Sequence, residues 1–76
     1  MTLDTWIKLN YGTQGKFNAS LGLPQHTVNR WYNHKPKYFL IHLSKICADT
    51  NTSVKELIEM VESRDKEVKI LESGKS

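Results

Sequence analysis

Four side chains within six residues could read the edge of a nucleic-acid base: Gln25, His26, Asn29 and Arg30. An amide offers a donor beside an acceptor and suits adenine. A guanidinium offers two parallel donors and suits guanine. Thr27, between them, could set its methyl group against a thymine. Losing one such two-bond pairing removes about 1–3 kcal/mol of discrimination at that base. Groups of this kind read sequence only when a rigid element carries them into a groove.

The flanking residues supply that element. Phe17, Leu21, Leu23, Val28 and Trp31 are spaced so that two short helices bury one stripe each against the other. Thr13 caps the first of them, over about 13–20, and Gly22 turns the chain. Pro24 suits the first turn of the second, where its missing N–H is no loss, so that helix is expected over about 24–33. The pair reads as a helix-turn-helix with Gln25, His26, Asn29 and Arg30 on its outer side.

Upstream, Leu3, Trp6, Ile7 and Asn10 mark a first helix, capped by Thr2 and closed by Gly12. Downstream, His34-Lys35-Pro36-Lys37 reads as a polar loop. Tyr38 to Cys47 suits a fourth helix, and residues 49–53 form a turn rich in capping side chains. Ser53 and Glu56 make a capping box for a fifth. The fifth helix carries a heptad pattern: Val54, Val61 and Val68 are seven apart, as are Leu57, Arg64 and Leu71. That spacing nominates Leu57, Val61, Val68 and Leu71 for self-association. The competing reading is a charged, fraying tail beyond the domain. The expected division is therefore a domain over 1–61 and a charged helical extension over 62–76, disordered from Glu72 onward.

The 76 residues suffice for one small domain. Its modest core would gain from a partner subunit. A mean hydropathy of −0.53 fits a soluble chain, and no apolar run approaches the roughly 20 residues of a membrane span. The first residues lack the basic and apolar blocks of a signal peptide. Cys47 is the single cysteine and cannot form an internal disulfide, so a reducing, cytoplasmic setting is expected. Net charge is +3, unevenly spread. Residues 1–45 carry six bases against Asp4 alone, a net of +5, and residues 46–76 carry five bases against seven acids, a net of −2. A basic front part suits a polyanion.

The segment resembles the Cro/repressor type of helix-turn-helix found in bacterial and phage regulators. The residues that carry the resemblance are Gln14, Phe17-Asn18, Leu21-Gly22, Thr27-Val28-Asn29-Arg30-Trp31 and Asn33, then Ile46-Cys47 and Val54 to Ile58. It spans roughly residues 3–61. The resemblance implies an all-α, five-helix domain with the motif in helices 2 and 3 and an extended C-terminal helix. It implies DNA base contacts from Gln25, His26, Thr27, Asn29 and Arg30. Gln14 matches the family's phosphate clamp at a helix start, where backbone N–H groups favour an anion. Asn33, Lys35 and Lys37 match its backbone-contacting loop, with Lys16 an addition. Three departures stand out. Asn18 replaces a packed alanine and needs hydrogen-bond partners if buried. Thr50 replaces a core leucine, which implies an early end to the fourth helix. Pro24 replaces a capping serine.

Other chemistries lack residues. His26, His34 and His42 are eight apart without zinc-ligand spacing, so no metal is expected. No catalytic serine–histidine–acid group, carboxylate pair or phosphate-cradling glycine loop appears, so neither an enzyme, a cofactor nor a small-molecule substrate is expected. Trp6, Phe17 and Trp31 read as core, and Cys47 as a space-filler. The expected function is a homodimeric repressor of operator DNA. The alternatives are a phage module that binds a host protein through its C-terminal helix, and an antitoxin.

Overall fold

The computed structural model describes residues 1–74. Every described element is helical, and five α-helices appear as the sequence predicts. Helix α1 (Leu3–Tyr11) starts where the Thr2 hydroxyl accepts the Thr5 N–H at 3.2 Å and stops at Gly12, whose φ of 88° few other residues tolerate. Helix α2 (Gln14–Ser20) starts where the Thr13 hydroxyl accepts the Lys16 N–H at 3.1 Å. Helix α3 spans Thr27–His34, α4 Leu43–Thr50 and α5 Val54–Ser73. The Ser53 hydroxyl accepts the Glu56 N–H at 3.1 Å and opens α5.

The core lies where α1, α2, α3 and α5 converge. Leu3, Trp6, Ile7, Phe17, Val28, Phe39, Ile46, Leu57 and Val61 are all buried there. An aromatic relay runs through it: Trp6 meets Phe17 edge-on, Phe17 stacks on Phe39 at 5.5 Å, and Phe39 meets Trp31 edge-on. The expected core roles of Trp6 and Phe17 hold, and Trp31 packs half-buried against the same cluster. Trp6 also donates its indole N–H to Thr52 Oγ1 at 3.0 Å, tying α1 to the turn before α5. No described helix is long and apolar enough to cross a membrane.

Three expected boundaries shift. Helix α3 begins at Thr27, not near Pro24. His26 sits at φ 68°, in the left-handed region, which a continuing helix cannot contain. The chain from Pro36 to His42 forms a 3-10 helix, because Pro36 at its first turn sets the geometry but supplies no N–H. The fourth α-helix therefore starts only at Leu43. It then runs through Thr50 instead of ending early: the Thr50 hydroxyl donates to the Ile46 carbonyl at 2.7 Å, and Asn51 at φ 53° closes the helix.

Helix α5 also packs beyond residue 61. Asp65 and Val68 are buried, and the helix continues unbroken to Ser73, through the first residues of the expected disordered tail. The last two residues of that tail lie outside the described residues. Leu57, Val61 and Val68, nominated for self-association, are 1%, 0% and 2% exposed within the single chain. Their heptad stripe faces this chain's own core, so a second copy could not reach it without unfolding the first. Leu71 alone among the four remains exposed.

Candidate nucleic-acid interface

The joint between α2 and α3 is built around one buried amide. Asn18 Nδ2 donates to the Leu23 carbonyl at 2.9 Å and the Pro24 carbonyl at 3.0 Å. Its Oδ1 accepts the Val28 N–H at 2.8 Å. Every hydrogen-bonding group of the side chain except one acceptor lone pair is thereby used. The amide that replaces alanine here is therefore satisfied. It holds the turn from both sides and caps the start of α3, where His26 gives no side-chain cap.

Thr27 completes the same turn. Its hydroxyl donates to the Pro24 carbonyl at 2.6 Å and the residue is 5% exposed. It is withdrawn from the base-facing set, because its side chain is spent inward on closing the turn. Gln25, His26, Asn29 and Arg30 are all exposed. Gln25 and His26 stand on the turn before α3, one step earlier than a helix from Pro24 would place them. Asn29 and Arg30 stand on α3 itself.

The structure gathers Gln25, His26 and Asn29, but not Arg30, around a concavity. Gln14, Asn18, Gln25, His26 and Asn29 line it, with Gly15 and Ala19 of α2 as its floor. Asn29 Nδ2 donates to Gln14 Oε1 at 3.0 Å, so the candidate phosphate clamp and a candidate base reader are linked. Asn33 donates to the Asn29 carbonyl at 2.9 Å and continues the polar row down the helix. The side chains of Gln25, His26, Arg30, Lys16 and Lys35 have no bonding partner among the described residues. No carboxylate occurs from residue 5 to residue 48. The face is thus polar, only partly spent on its own bonds and free of acidic residues in the surrounding sequence, as a surface awaiting phosphates would be.

The two lysines expected to contact phosphate after α3 differ from each other. Lys35 follows α3 and is free. Lys37 lies 3.9 Å from Asp65 Oδ2, a buried carboxylate that also takes Lys69 at 3.0 Å. Part of its charge is balanced inside the chain.

The far end of α3 holds a contact that periodicity alone did not reveal. Arg64 of α5 donates from Nε to the Tyr32 carbonyl at 2.9 Å, and its guanidinium carbon lies 4.0 Å from the centre of the Tyr32 ring. In the sequence it looked like a polar interruption of the Leu57–Leu71 heptad. The usable signal was its register: an arginine in line with core residues must find an acceptor indoors. Burial of the Tyr32 phenol raises its pKa above the ordinary value, with the neighbouring Arg64 charge opposing.

Comparison with curated proteins and with solved structures returns no match. A family model of the Cro/C1-type helix-turn-helix DNA-binding domain matches residues 8–63. That stretch contains α2, the Asn18-centred turn, α3 and its polar face, and it covers most of the chain. The protein belongs to the Cro/C1-type helix-turn-helix DNA-binding domain family.

Proposed function

We propose that this DNA-binding domain is a sequence-specific regulator of the repressor kind, which docks α3 and the turn before it in the major groove of duplex DNA. In this reading Gln25, His26, Asn29 and Arg30 meet base edges. Gln14, Lys16, Asn33 and Lys35 grip the phosphates, and Lys37 joins them only by loosening from Asp65. Two copies bind half-sites about one helical turn apart, since one small domain spans few base pairs. The single observation that carries the reading is the exposed amide, imidazole and guanidinium row beside an acid-free surface, with no bonding partner for Gln25, His26 or Arg30 among the described residues.

Selection of bound duplexes from a random pool tests it. Enrichment of one short motif, repeated with two-fold symmetry, is the expected result. The double variant Gln25→Ala, Arg30→Ala should lose that enrichment while remaining folded by circular dichroism. A pool that stays random with the parent chain refutes sequence reading, and a non-repeated motif refutes the paired arrangement.

A further inference from the structure

The geometry points to Arg64 as a positioning residue for the DNA-reading helix: without touching DNA, it fixes how α3 is rolled about its own axis. This rests on the reading just proposed. Roll is the coordinate that decides which base Asn29 and Arg30 meet; Val28 and Trp31 set which side of the eight-residue helix faces in, and the bonds at its two ends trim the angle. Its start is pinned by Asn18 on the Val28 N–H. Its end is pinned by Arg64, which takes the Tyr32 carbonyl, one of the last-turn carbonyls that no helical N–H satisfies.

Three directions constrain the guanidinium. The carbonyl lies along Nε, the Tyr32 ring lies under the plane, and Glu67 Oε1 lies 3.7 Å from Nη1. A planar, forked cation held in this way is far less free than a lysine ammonium in the same place. Its side chain is only 14% exposed, so water competes poorly for it. The next residue, Asp65, holds Lys37 in the segment that follows α3. The distal half of α5, set apart in the sequence as an extension, is on this account the brace of the reading helix.

The test uses the full chain, a duplex carrying the motif recovered by selection, and a scrambled duplex of equal length. Binding is measured by fluorescence anisotropy at two salt concentrations for the parent, Arg64→Met and Arg64→Lys. Circular dichroism fixes the temperature at which each variant is folded. The expected result is that the ratio of specific to scrambled affinity falls roughly tenfold in Arg64→Met, with most of that loss retained in Arg64→Lys. The salt slope of Arg64→Lys should match the parent, because no phosphate contact is removed. If Arg64→Met does not fold, Arg64→Lys decides alone. Parental selectivity in the folded variants overturns the proposal. So does a loss that vanishes on cooling in step with refolding, which would make Arg64 merely structural, or a salt slope reduced by about one, which would make it a phosphate ligand. A parent chain with no preference between the duplexes overturns the functional reading itself, and is distinguished by being seen before any variant is made.

Discussion

Arg30 and Arg64 carry the same group into opposite situations. Arg30 stands on the outer side of α3, exposed and without a partner among the described residues. Arg64 lies on the inner side of α5 with a carbonyl, a ring and a carboxylate around it. The contrast extends to their neighbourhoods. Around Arg30 the polar groups are mostly unspent, and around Arg64 nearly all are engaged. A polar side chain already satisfied by its own chain stabilises the fold, whereas one left unsatisfied at the surface is available to a ligand at little cost. Residue type alone does not separate the two, and partnership does.

The comparison can be broken most forcefully at Asn18, where a satisfied amide sits beneath the unspent face. Asn18→Ala leaves the Val28 N–H and two carbonyls without their bonds and should lower unfolding free energy by about 2–3 kcal/mol in urea titration. An unchanged midpoint would mean that water replaces the amide without loss. Next comes Arg30→Ala. Its thermal unfolding should stay within about 0.5 kcal/mol of the parent, while affinity for the selected duplex falls by about 1–3 kcal/mol at one base position. A destabilised variant with intact affinity would invert the assignment of the two arginines. His26→Gly sharpens the boundary between the classes. Relief of the left-handed backbone should stabilise the fold by up to about 1 kcal/mol, and loss of the imidazole should weaken DNA binding in the same protein. A variant that gains stability and keeps full affinity would remove His26 from the reading face.

The smallest effect concerns pH. Burial holds the phenols of Tyr11 and Tyr32 above their ordinary pKa, so the folded chain keeps these protons after the unfolded chain has lost them. The contribution is intact below the unfolded phenol value of about 10 and fades as pH rises through the folded values. Stability should therefore be level on this account at neutral pH and decline in alkali, with a shallower decline in Tyr32→Phe. An equally steep decline in that variant would assign the effect elsewhere.

The caps were legible because capping is local. Thr2, Thr13, Ser53 and Gly12 each act within one turn of chain, and the hydroxyl or glycine alone announces them. The turn before α3 was misread because Pro24 has two good uses. It fits a first helical turn, and it equally fits a bend whose carbonyl is taken by Asn18 and Thr27. Only the amide of Asn18, five to ten residues from its partners in sequence and brought close by the fold, decides between them. The α5 stripe is ambiguous in sequence for a related reason. A seven-residue repeat of valines states that something apolar covers them, not whose chain provides the cover. The outward position of Gln25, Asn29 and Arg30 was readable because the apolar spacing of Phe17, Leu21, Val28 and Trp31 fixes which side faces in.

The bond from Trp6 to Thr52, with Leu3 and Ile7 buried in the same core as Leu57 and Val61, also bears on synthesis. Helix α1 leaves the ribosome before α5, so the surface that α1 requires follows it in synthesis. Until α5 clears the exit tunnel the motif lacks the part of its floor that Leu57 and Val61 supply. A chain cut after residue 53 would keep every base-facing residue and lose the core contribution of Leu57, Met60 and Val61 that braces them.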